Sequence, residues 1–220
     1  MPRTSRAVAI GYPHHITQRG NYRQQVFNTD EDYIQYLQWL KEYSDKYSLK
    51  MWAYCLMSNH VNFVAVPLKD DSLSKVFSTL HMRYSQYINQ KNDNKGHLWQ
   101  GRFFSCVLDE KHVYAAVRYV ENNPVRAKII VKPDEYKWSS AKTHVQKECN
   151  PILSNDCYLS ERIIDWAEYL MEKDDEPAKN IIKNIRRGRP CGDESFVTMI
   201  EGLVGRRLSA LPKGRPRKIN

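Results

Sequence analysis

The 220-residue chain carries a formal charge of +9 at neutral pH, is 41% hydrophobic and 27% charged, and contains 14 Tyr and 5 Trp. That length supports a buried core, and the aromatic content excludes a disordered tail protein. No run approaches the roughly 20 apolar residues of a membrane span, the N-terminus lacks a secretory h-region, and Cys55, Cys106, Cys149, Cys157 and Cys191 form no CxxC pair, which points away from a disulfide framework or zinc site and towards a reducing cytosol.

Residues 14–18 (HHITQ) read as a short strand ended by Arg19-Gly20-Asn21. Thr29 opens a helix whose apolar face is Tyr33, Tyr36, Leu37, Leu40 and Tyr43. Residues 50–57 and 60–67 read as two strands joined by a Ser58-Asn59 hairpin turn. A second amphipathic helix carries Leu73, Val76, Phe77, Leu80, Tyr84 and Ile88 on one side, and residues 92–96 (NDNKG) break the chain. Residues 102–108 read as a fourth strand, and a third helix runs from about Glu110 to Asn122, before Pro124. The order β-α-β-β-α-β-α predicts an α+β fold. Its first six elements match the ferredoxin-like split βαβ pattern, an antiparallel sheet with helices on one face.

Charge divides the chain. Residues 1–150 carry a net +7, residues 151–180 a net −5 and residues 181–220 a net +7. The expected organisation is therefore a main domain at 1–150 and a small, mainly helical basic extension at 151–220. Phe196, Met199, Ile200, Leu203 and Val204 fall at helical spacing within that extension. Gly-Arg-Pro occurs twice there among basic residues, with Arg187 and Arg189 around the first copy and Arg215 and Arg217 in the second. Such segments resemble AT-hook cores suited to the minor groove, and a solvated basic tail holding phosphates has the same composition. The positive excess predicts an anionic partner, most commonly nucleic acid.

Candidate chemistry begins in strand 60–67, where His60 and Asn62 share one face. One nitrogen and one carboxamide oxygen at that spacing can share a divalent ion; they can also be a hydrogen-bonded pair at a strand end. The third helix buries Val113, Ala116, Val117 and Val120, which leaves Tyr119, with His112 and Asn123 nearby, on a flank of the stripe. Such a helix, packed on the sheet, can bring a phenol and a carboxamide to the His60/Asn62 rim; Tyr119 is equally compatible with a boundary tyrosine in water. Two further sets, Arg19, Asn21 and Arg23 after the first strand and Trp99, Gln100 and Arg102 before the fourth, combine cations, amides and a stacking ring suited to DNA. Each could also be an ordinary solvated loop.

Five segments together, HHITQRGNYRQQVF (14–27), YCLMSNHVNFVAVP (54–67), LWQGRFFSCVLDE (98–110), VRYVENNPVRA (117–127) and YKWSSA (136–141), resemble the REP-associated tyrosine transposases, a branch of the single-tyrosine His-hydrophobic-His transposases. GRPCGDESF (188–196) and GRRLSALPKGRPRK (205–218) are similar to the extension of its longer members. The resemblance implies a transposase that cleaves and rejoins single-stranded DNA at repetitive extragenic palindrome hairpins. Tyr119 would be the nucleophile, forming a 5′-phosphotyrosine. His60, Asn62 and Asn123 would hold Mg²⁺ or Mn²⁺. The implied partner is hairpin DNA, with no membrane, a monomeric or homodimeric protein, and a bacterial cytoplasmic location at the nucleoid. One position departs: the pattern has His where this chain has Asn62. A carboxamide suits Mg²⁺ but is a weaker donor than imidazole for transition ions. The alternative is thus a non-catalytic hairpin-DNA binder that has lost metal affinity through Asn62; an RNA-binding ferredoxin-like module is a third possibility.

Overall fold

The computed structural model describes residues 6–172, 181, 183–185 and 187–209. Its centre is a four-stranded antiparallel sheet ordered β2-β3-β1-β4, built from β1 (His14–Arg19), β2 (Leu49–Met57), β3 (His60–Pro67) and β4 (Phe104–Val107). Ser58 and Asn59 make the expected two-residue turn between β2 and β3, whose register pairs Met57 with His60. The fourth strand is shorter than 102–108 because the preceding segment is held elsewhere: Trp99 bridges Gly20, and Gln18 Nε2 donates to the Gly101 carbonyl.

Helix α1 (Asp30–Lys46) starts at Thr29 through a reciprocal capping box with Asp32. With α2 (Ser72–Lys91) it covers the sheet face formed by Ile16, Tyr54, Leu56, Val61, Phe63 and Ala65, as the split βαβ pattern requires. The opposite face belongs to α3 (Glu110–Glu121). Asp109 caps it by accepting from the His112 backbone N–H, and Val113, Ala116, Val117 and Val120 pack on Ala53, Cys55, Met57, Val64 and Cys106. That cap occupies His112, whose Nδ1 also lies 2.7 Å from Asp109 Oδ1.

Helix α4 (Asn123–Arg126) follows directly, and α5 (Ala141–Gln146), α6 (Leu159–Arg162) and α7 (Trp166–Met171) close over α3. The hub of this layer is Glu121, fully buried, which accepts from Ser140 Oγ at 2.5 Å, His144 Nδ1 at 2.6 Å and Trp166 Nε1 at 2.7 Å. Cys157, Leu159, Trp166, Tyr169, Leu170, Ile181, Ile185 and Cys191 belong to the same apolar cluster as α3, so the residues after 150 share that core. Helix α8 (Glu194–Val204), at the predicted spacing, seats Ile200 on Ala7, Ala9 and Val107. No helix among the described residues is long and apolar enough to cross a membrane.

Candidate active site

Alternation along β3 sends Val61, Phe63 and Ala65 towards α1 and α2, and His60, Asn62 and Val64 towards α3. On the neighbouring strand Arg19 lies opposite His60, Thr17 opposite Asn62 and His15 opposite Val64. His60 Nδ1 is 2.7 Å from Asn59 Oδ1, an acceptor, so Nδ1 carries the proton and Nε2 keeps its lone pair. Burial, and then Arg19, lower the His60 pKa to about 4, while a hydrogen bond with Asn123 raises it. His60 is therefore neutral near pH 7.

The last carbonyls of α3 have no partner within the helix. Asn123, 8% exposed, caps them by donating Nδ2 to the carbonyls of Tyr119 at 3.0 Å and Val120 at 3.1 Å. Its nitrogen is thereby used, and its side chain lies beside His60. Tyr119, one turn earlier, is half-buried. Its ring meets His15 edge-on with centroids 5.8 Å apart, and the Arg126 guanidinium lies 4.8 Å from its centroid. Tyr119, His60, Asn62 and Asn123 thus come together on one face of the sheet.

Two side chains beside Tyr119 and His60 lack partners. Asn62, 3% exposed, has a buried Nδ2 with no hydrogen-bond partner, and both ring nitrogens of His15, 2% exposed, are likewise unpaired. Burial lowers the His15 pKa to about 4 although Asn62 beside it pulls upward. The adjacent His14 differs: Nδ1 is 2.8 Å from the Tyr12 carbonyl and Nε2 accepts from the Ala9 N–H at 3.3 Å. Sequence reasoning missed His15, Asn59 and Arg126. The available signal was the His-His doublet in a strand, which points one imidazole to each face whichever face is functional.

The loop residues divide. Arg19, Asn21 and Arg23 lie beside His60, because the Gly20 N–H donates to the Asn59 carbonyl at 2.9 Å and Asn21 N–H to the Leu98 carbonyl at 2.8 Å. Gln100 and Arg102 are exposed on the adjoining segment. Trp99 offers no free stacking face: it is 7% exposed, packs on His81, Tyr36 and Tyr84, and donates Nε1 to the His81 carbonyl. A cavity of about 500 Å³ lined by Phe77, His81, Trp99, Arg102 and Phe103 lies on the α2 side of the sheet, away from Tyr119. The first Gly-Arg-Pro is not an extended hook. Gly188 is left-handed (φ 64°), Arg189 N–H donates to the Asn184 carbonyl, Pro190 is buried and Cys191 pairs with Leu108. Arg187 is exposed and Arg189 half-buried; Arg215 and Arg217 lie outside the described residues.

A family model described as "Transposase IS200 like" matches residues 10–123, just over half of the chain, and spans every strand of the sheet together with Tyr119 and Asn123. The chain is an IS200-like transposase. This transposase is similar in fold to a REP-associated tyrosine transposase solved bound to a REP hairpin, with a TM-score of 0.57 at 18% identity over 71% of this chain and 93% of that one. A candidate transposase from Deinococcus radiodurans R1 aligns at 20% identity over 55% of this chain and 97% of that one, with a TM-score of 0.39 that carries no further weight. No curated protein matches.

Proposed function

We propose that this IS200-like transposase belongs to the REP-associated branch, and that it cuts and rejoins single-stranded DNA at the foot of REP-type hairpins through a 5′-phosphotyrosine on Tyr119. One observation carries the reading: Tyr119 of α3 shares a sheet face with His60 and Asn62 of β3 and with Asn123 of α4. The covalent step conserves the phosphodiester energy. The Tyr119 oxygen bonds to phosphorus, the DNA 3′-oxygen leaves with a proton, and a 3′-hydroxyl reverses the exchange without ATP.

A divalent cation fits these residues. His60 and Asn123 are neighbouring side chains, and with His60 Nδ1 and Asn123 Nδ2 already bound each keeps one acceptor atom, Nε2 and Oδ1. That pair, with the Asn62 carboxamide, makes a nitrogen-oxygen set suited to Mg²⁺ or Mn²⁺. Bound there, the ion supplies positive charge to a phosphate oxygen of the DNA. Among the described residues no cluster of three His, Cys, Asp or Glu offers a competing site. Arg126 would hold the Tyr119 ring, and Arg19, Arg23 and Arg102 would contact phosphates.

The test is incubation with end-labelled hairpin DNA and Mg²⁺ or Mn²⁺. A denaturation-resistant adduct is expected, and it should vanish in Tyr119→Phe; an adduct that survives removes Tyr119 from this role. The unpaired Nδ2 of Asn62 favours a second reading, a hairpin-DNA binder without cleavage. Asn62→His separates the two, since a gain of cleavage from an inactive parent supports the binder.

A further inference from the structure

The segment between β1 and α1 displays an aromatic side chain in a way that packing does not explain. Tyr22 is 94% exposed, while the next most exposed aromatic side chain, Phe104, shows 39%. Among the described residues Tyr22 makes no hydrogen bond and no ring contact. Its backbone is left-handed (φ 50°), as is that of Arg23 (φ 62°). That region is rarely populated by bulky non-glycine residues, and two in succession are costly. No contact of the Tyr22 side chain among the described residues offsets that cost.

The backbone is nevertheless held firmly. Arg23 N–H donates to the Gly20 carbonyl at 3.1 Å, Gln24 N–H to the Asn21 carbonyl at 2.9 Å, and Gln24 Nε2 to the Leu98 carbonyl at 2.9 Å. Val26 and Phe27 N–H groups both donate to the Ser58 carbonyl. Gly20 permits the tight turn, because a Cβ there would meet the Gln24 carbonyl oxygen at 2.4 Å. The strained loop is therefore tied to the turn that precedes His60, and its fully exposed ring projects from that end of the sheet.

The surroundings select the chemistry. Residues 14–28, 57–67 and 96–108 contain no Asp or Glu, while Arg19, Arg23 and Arg102 among them pair with no carboxylate of the described residues. An exposed ring flanked by unpaired guanidinium groups suits a strand that offers alternating bases and phosphates. We propose that Tyr22 is a stacking platform for an unpaired nucleobase of the DNA, placed beside the strand ends that carry Arg19 and His60. This rests on the hairpin-DNA reading above. It accounts for a bulky residue at a position where glycine would relieve strain.

Binding is measured by fluorescence anisotropy on two probes: a hairpin with a single-stranded extension at its foot, and the same stem as a blunt duplex. Tyr22→Ala should weaken binding to the extended hairpin about 5- to 150-fold, the effect of losing one base–aromatic stack, and leave the duplex unchanged. Tyr22→Phe should stay within about twofold of the parent, since the ring and not the hydroxyl does the stacking. The salt dependence should be the same in all three proteins, because no phosphate contact is lost. 2-Aminopurine scanned through the extension should be quenched at one position by the parent and not by Tyr22→Ala. Equal binding by parent and Tyr22→Ala, or a Tyr22→Phe variant as weak as Tyr22→Ala, overturns the stacking role alone. A parent protein that ignores the hairpin overturns this role together with the function proposed above.

Discussion

Glu121 sits between Tyr119 and Asn123 in sequence and anchors the end of α3, so its network tests how the site is held. Trp166→Phe keeps a ring at 166 but leaves one oxygen of a buried carboxylate without its donor, which lies at 2.7 Å in the parent. Hydrogen bonds to charged groups contribute about 1.5–3 kcal/mol, and the smaller ring adds a packing loss, so about 2–4 kcal/mol of stability should go. Glu121→Leu removes the carboxylate and strands the buried indole N–H together with the Ser140 and His144 donors, at a cost of about 2–4 kcal/mol or more. The double variant no longer strands the indole N–H or a carboxylate oxygen, and the loss at Ser140 and His144 is the same as in Glu121→Leu, so the double should be no less stable than the worse single, a coupling of about 2 kcal/mol or more. Urea unfolding followed by tryptophan fluorescence measures it, each single lowering the midpoint by about 1 M. Losses from the two singles that add to within about 0.5 kcal/mol would refute the argument, because independent sites behave that way.

Burial holds His14 and His15 down to about 4 and His81 to about 3, so all three are neutral in the folded state at pH 7. The unfolded chain takes up protons near pH 6.5 and the folded one only near pH 4. Stability should therefore be full above about pH 6.5 and fall as pH drops towards 4, by about 3 kcal/mol for each such histidine. Thermal melts from pH 7 to 4.5 check the direction, and a flat profile would contradict it. Truncation after Ser209 removes Lys213, Arg215, Arg217 and Lys218; it should flatten the salt dependence of DNA binding, by up to roughly 0.9 per lost phosphate contact. Truncation before Ile181 should destabilise the protein, because Ile181, Ile185, Cys191, Ile200 and Leu208 are buried.

Local pattern carried much of this. The Thr29 capping signal, the Ser58-Asn59 turn, the stripes of α1, α2 and α8 and the shared face of His60 and Asn62 are short-range properties, set by side-chain period and hydrogen-bonding chemistry. Trp99 shows where such reading stops. A Trp beside Gln, Gly and Arg has the composition of a DNA loop, yet its ring is drawn into the core by His81, Tyr36 and Tyr84 from two helices that the motif does not contain. The first Gly-Arg-Pro is likewise bent by Asn184 and docked through Cys191 on the edge of β4.

The sequence alone determined the element order, the two basic regions and the four polar residues whose types suit phosphodiester chemistry. Tertiary structure decided which of them meet. Strand pairing puts β1 beside β3, which brings the unpaired imidazole of His15 alongside Asn62, and α3 crosses the face opposite α1 and α2, which lays Tyr119 against His15 and Asn123 against His60. These neighbours are 47 to 104 residues apart in the chain, and no periodicity within one segment encodes a contact between two.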